Sequence, residues 1–166
     1  MKKFVISLCL LLGVSLPLYA QPLPEPEGKV ILSIAGKIGK SQDGKVARFD
    51  LSQLQQLDSK TFYFQTRWTD TAHEYHGPRL SALLEAVDAK GDIIRMTALN
   101  DYSVDIDRAF IQQYDPILAW QQDGRKLSVR EKGPLWLLLP IHEFPHLNEG
   151  ESSAKMIWQL RDIEIR

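Results

Sequence analysis

A chain of 166 residues with a formal charge of −1 is long enough for one domain with a real hydrophobic core, and it carries no basic footprint for nucleic acid. Its one cysteine, Cys9, lies in the leading apolar run. Everything after residue 20 is therefore without a disulfide, a thiolate metal ligand or a cysteine nucleophile.

Lys2 and Lys3, the apolar run Phe4 to Leu16 and the sequence Leu18-Tyr19-Ala20 read as a secretory signal peptide cut after Ala20. The run is too short for a lasting membrane span, and Cys9 is too far from the cut to carry a lipid anchor. Taking 20 from 166 leaves 146 residues, and losing two lysines moves the balance from −1 to −3. An exported, periplasmic protein without direct membrane insertion is expected.

Residues 21–28 (QPLPEPEG) form a proline-spaced leader, expected to be extended and partly mobile. Lys29 to Ala35 reads as a strand, Gly36 to Gly44 as turns, and Val46 to Phe49 as a second strand. Asp50 is placed to cap a helix carrying Leu51, Leu54 and Leu57. The aromatic, β-branched stretch Thr61 to Trp68 predicts a strand, and residues 71–76 (TAHEYH) a polar loop holding two histidines. Gly77-Pro78 then starts a helix with a Leu80, Leu83, Leu84, Val87 stripe.

Asp92 to Leu99 and Tyr102 to Ile106 read as strands separated by Asn100-Asp101, and Asp107 to Tyr114 as a short helix. Ile117 to Gln121 and Lys126 to Val129 flank Asp123-Gly124, a two-residue hairpin signal. Residues 128–140 (SVREKGPLWLLLP) open on a charged turn and become an apolar run bounded by prolines, the pattern of a strand buried on both faces. A polar loop from Ile141 to Ser153 follows, and Met156 to Leu160 and Ile163 to Ile165 close the chain as strands. Mixed strands with a few short helices predict an α+β domain over residues 29–166.

His142-Glu143-Phe144-Pro145-His146 matches H-E-x-x-H letter for letter. That motif needs a helix to bring both histidines to one face. Pro145 removes a backbone donor and disfavours helix at Phe144, so no zinc hydrolase site is expected.

Residues 98–103 (ALNDYS), 128–140 and 158–165 (WQLRDIEI), in that order and spacing, resemble the molybdopterin-binding domain of the sulfite oxidase family. The Gly77-Pro78 segment with Leu83-Leu84 fits the same pattern, so the resemblance covers about Val30 to Ile165. It implies a single compact mixed-sheet domain with a pocket between the Trp68 end, the Asn100 loop and the Arg130 turn. The family's oxidoreductases hold molybdenum through a cysteine on the strand corresponding to Thr61–Trp68, where this chain has Phe64, Gln65, Thr66 and Arg67. A soft thiolate has no substitute among those four. Molybdenum is therefore not expected, whereas the pterin half of the cofactor needs only a flat slot with polar edges. An oxidoreductase that anchors molybdopterin without cysteine is the alternative reading.

The chain most closely resembles an exported, cysteine-less branch of that family. Some members look like periplasmic pterin-binding proteins that report pterin to a membrane-bound enzyme making or degrading cyclic di-GMP. A non-catalytic pterin binder, partnered by the extracytoplasmic domain of a membrane signalling protein, is what this implies. Trp68, Trp136 and Tyr102 are the stacking candidates, although Trp136 also reads as core, as Trp120 and Trp158 do. Asn100 and Asp101 either make a turn or recognise the ring edge, and Thr66 stands beside Trp68. Arg130 and Lys132 either hold an anionic or hydroxylated side chain of the pterin or are ordinary surface charge.

Overall fold

The computed structural model describes residues 22–166; the expected signal peptide and its cleavage point lie outside them. Residues 22–28 of the leader are tied down. Pro24 O accepts hydrogen bonds from Gln42 Nε2 (3.0 Å) and Gln53 Nε2 (2.8 Å), while the half-buried Leu23 packs on the core. At its end Gly28 N donates to Asp50 Oδ2 at 2.6 Å.

Strands β1 (Leu32–Gly36) and β2 (Val46–Phe49) pair antiparallel, and their alternation buries Leu32, Ile34, Ala47 and Phe49 on one face. Asp50 caps α1 (Leu51–Leu54) as its sequence predicts: Oδ1 accepts from Gln53 N and Gln53 Oε1 accepts from Asp50 N, a reciprocal capping box. Gln53 N, Ser52 Oγ and Gly28 N, all donating to its carboxylate oxygens, hold the carboxyl at about 2.

Three expectations fail between residues 59 and 79. Strand β3 (Ser59–Phe64) stops short of Trp68, and the histidine-bearing segment is strand β4 (His73–Pro78), paired with β3 along its full length. Gly77-Pro78 thus ends a strand, and helix α2 (Leu80–Ala86) begins two residues later. Gly77 is needed there because a Cβ would lie 2.0 Å from Leu118 O. Cross-strand pairing overrides the local polarity of residues 71–76.

Strands β5 (Ile93–Ala98) and β6 (Ser103–Asp107) and helix α3 (Arg108–Tyr114) follow as expected, with Asp101 in the left-handed region (φ 64°) making the turn. Next come β7 (Ile117–Ala119) and the Asp123-Gly124 hairpin of β8 (Gln121–Gln122) and β9 (Arg125–Lys126). A 3-10 turn over Val129–Glu131 leads to β10 (Trp136–Leu138), followed by a 3-10 turn (Pro145–Asn148), α4 (Gly150–Ala154) and β11 (Leu160–Ile165). The Lys126 to Val129 strand is thus cut to its first residue. Of the expected strand Met156 to Leu160, Trp158 makes an isolated bridge to Trp136 and Leu160 opens β11, because Gln159 between them turns left-handed (φ 54°).

The last strand lies at the centre of the main sheet, ordered β2-β1-β11-β5-β6, parallel to β1 and antiparallel to β5. A second sheet is ordered β3-β4-β8-β9. Between their two cores runs the β7–β10 pair. Leu118, Leu135 and Leu137 join the cluster under the five-stranded sheet, whereas Ile117, Ala119, Trp136 and Leu138 join the aromatic cluster with Phe62, Phe64 and Tyr75. This two-sided burial explains why residues 135–139 are apolar without alternation; all five are fully buried. The result is a mixed α+β domain.

Candidate functional site

The Thr66–Thr69 turn, which follows β3, decides the geometry. Thr66 N donates to Thr69 Oγ1 (3.0 Å), and Trp68 N donates to Thr66 Oγ1 (3.2 Å). Thr66 is buried in this turn at 2% exposure, so it positions Trp68 rather than forming a wall of its own. Successive residues then face different ways: Arg67 and Trp68 line one cavity, and Thr69 lines another.

The first cavity measures about 500 Å³, within the range of small-molecule sites. Half-buried Trp68 meets half-buried Trp158 edge-on, with centroids 5.4 Å apart and planes at 77°. Arg67 places its guanidinium 5.7 Å from the Trp68 ring centroid and donates from Nη1 to Ser153 Oγ at 3.0 Å. Ser153 donates in turn to Gly150 O at 2.9 Å, which fixes α4 as one wall. Asn100 and Tyr102 come from the β5–β6 turn on the opposite side. Asn100 Oδ1 accepts from Tyr102 N at 3.2 Å, so its carboxamide is oriented by its own turn, and Tyr102 remains half exposed. The cavity therefore offers two indole surfaces, a carboxamide, a guanidinium and a phenol.

Of the residues singled out from the sequence, Trp68, Asn100 and Tyr102 meet here. Asp101 is directed elsewhere, its carboxylate paired with Arg161 Nη2 at 3.2 Å. Trp136 is fully buried; its indole donates to Met156 O at 3.2 Å and backs Trp68 with centroids 6.1 Å apart. Arg130 and Lys132 line the second cavity with Thr69, so the Arg130 turn does not border the aromatic one.

Sequence reasoning missed Trp158, Arg67 and the Gly150–Ser153 wall. Trp158 reads as core because a tryptophan beside a strand usually is; its place before the left-handed Gln159 carries the contrary signal. The α4 wall gives no sequence signal, since its ion-free contact with Arg67 spans 86 positions.

The H-E-x-x-H letters fall in a turn and a 3-10 helix rather than on one α-helix face. His142 packs on Phe62 and Phe64, with centroids 5.0 and 5.7 Å away, while His146 Nε2 meets Tyr114 Oη at 3.3 Å. Among the described residues no group of three or more His, Cys, Asp or Glu is arranged to hold a metal ion. Nor do the donors at positions 64–67 fit a molybdenum held through sulfur: Thr66 Oγ1 is committed to its own turn, and the other three side chains carry no thiolate. Burial pushes the Tyr75 phenol up to about 12, so it stays protonated at physiological pH and is no general base.

No protein-family profile and no curated protein sequence matches the chain. Among solved structures, the sulfane dehydrogenase SoxCD from Paracoccus pantotrophus is similar, with a TM-score of 0.56 and 18% identity over 81% of this chain. The chain spans 37% of that protein's length. At this identity the likeness shows the fold alone, a sulfite-oxidase-like mixed α+β arrangement.

Proposed function

We propose that this chain is a non-catalytic binding protein whose ligand is a pterin. The observation that carries the reading is the meeting of Trp68 and Trp158 at one cavity with the Asn100 carboxamide and the Arg67 guanidinium. A pterin presents a flat face, which an indole stacks on, and an amide-like edge that needs a donor and an acceptor together. Asn100 supplies both. Tyr102, half exposed at the same cavity, adds a phenol. The chain resembles exported pterin-binding relatives of the sulfite oxidase family, and the reading includes a periplasmic location after cleavage at Ala20. It also includes relay of pterin occupancy to the extracytoplasmic domain of a membrane-bound cyclic di-GMP enzyme. Such a relay requires that the partner bind the free and loaded forms unequally.

The test adds a panel of oxidised and reduced pterins to the purified protein while tryptophan fluorescence and Tm are followed. Quenching with a rise in Tm is expected, and Trp68→Ala and Asn100→Ala should each weaken binding about tenfold or more. Silence across the whole panel would end the proposal. The alternative, an oxidoreductase anchoring molybdopterin without cysteine, draws on the fold likeness. Stoichiometric molybdenum with redox activity in protein from a molybdenum-replete native host would establish it instead.

A further inference from the structure

The second cavity, about 680 Å³, is ringed by Arg125, Lys126, Arg130 and Lys132 against only two carboxylates, Asp123 and Glu131. Both acids are already engaged. Asp123 Oδ2 meets His73 Nδ1 at 2.6 Å and its Oδ1 accepts from Glu74 N, while Glu131 accepts from Ser128 Oγ at 2.8 Å. None of the four cations forms an ion pair or a side-chain hydrogen bond among the described residues, although Arg48, Arg79, Arg95 and Arg161 all do. Four cations without ion-pair partners thus share one concavity with two carboxylates, an excess of positive charge that favours an anion there. The turn that presents them is built firmly: Gly133 N donates to Ser128 O at 2.7 Å, and Gln159 N donates to Lys132 O at 3.0 Å.

A chain of contacts through Trp136 and the Trp68–Thr69 turn connects this cavity to the aromatic one. Lys132 Nζ lies 5.2 Å from the Trp136 ring centroid, Trp136 backs Trp68, and Thr69 of the same turn faces the cations. We infer that the Arg125–Lys132 cavity is a second, separate binding site, for a multiply charged phosphate-type oxyanion, coupled to the aromatic cavity through the Trp68–Thr69 turn. Arginine forks and lysine ammonium groups converging on one space supply the charge-assisted donors such an anion needs. The site stands whether or not the aromatic cavity takes a pterin.

Calorimetric titration of the purified protein with inorganic pyrophosphate tests this directly. One saturable site is expected, weakening as salt rises, with a concurrent change in tryptophan fluorescence. Arg130→Gln/Lys132→Gln and Arg125→Gln/Lys126→Gln should each lose about tenfold or more in affinity while keeping or raising Tm, since they remove excess positive charge. Lys37→Gln/Lys40→Gln, a charge-matched change elsewhere, should leave binding intact. Absence of saturation below about 10 mM pyrophosphate, equal weakening by the Lys37/Lys40 control, or saturable binding of an acidic peptide in place of pyrophosphate would each overturn the site. Binding that leaves fluorescence unchanged in a protein with Trp68 intact would overturn the coupling.

Discussion

Asp50 shows how much one side chain settles. It closes the first helix through its capping box and also receives the amide of Gly28, so one carboxylate joins the leader, β2 and α1. Its carboxyl is held at about 2 by donors from Gln53, Ser52 and Gly28, below the ordinary 3.8. A depressed folded-state value means the contribution is complete above the ordinary value and is lost as pH falls from about 4 through about 2. Comparing Asp50→Asn with the parent by thermal melts, the variant should melt about 3 °C lower at pH 7. The gap should narrow as pH falls from about 4 and close only below about 2, and a gap independent of pH would show that charge plays no part. At the candidate site the same local logic holds: Trp68 is aimed by the Thr66 hydroxyl, not by the strand before it.

Among the elements, β4 is the clearest departure from local signals. A segment rich in histidine, glutamate and threonine reads as a loop, yet residues 73–78 pair with β3 on one side and with β8 on the other. Tyr75, fully buried between Phe64 and Trp136, is the one large apolar side chain in it, and it is enough to fix the register. Gly77 lets this strand close on β7. Gly77→Ala puts a Cβ 2.0 Å from Leu118 O and 2.8 Å from Ala119 Cα, both backbone atoms that cannot swing away. A loss of about 2–3 kcal/mol in denaturant unfolding is expected. An unchanged midpoint would mean that β4 and β7 do not lie this close in solution.

For the whole molecule, the consequential fact is that the first and last strands of the described residues pair, with the last at the centre of the main sheet. Strand β11 lies between β1 and β5, so Ser33 pairs with Asp162 and Ile163 with Met96. The sheet cannot form until residue 160 onward is present, because without it β2-β1 and β5-β6 are two unconnected ribbons. Ending the chain at Gln159 should abolish cooperative unfolding and near-ultraviolet dichroism. Removing only residues 22–27 should lower Tm modestly, since those residues lie at the edge. Pairing across so long a separation also predicts folding slower than in helical domains of this size, in milliseconds to seconds. Stopped-flow refolding measures it.

Sequence alone determined the local matters: the Asp50 cap, the Asp123-Gly124 hairpin, the doubly buried run at 135–139, the α2 stripe and the α+β class. Each depends on periodicity or turn chemistry within a dozen residues, where side-chain direction is set by the backbone itself. The cavity was legible in part, because Asn100 and Tyr102 lie in the β5–β6 turn and Trp68 in the turn after β3, where an exposed polar or aromatic side chain is conspicuous. Only the tertiary structure decided that Trp158 and Ser153 face them, that Asp101 turns to Arg161, and that Arg130 and Lys132 belong to a different cavity. Those relations join residues tens of positions apart, and they depend on which side of the Thr66–Thr69 turn each neighbour falls. No local pattern of residues carries that information.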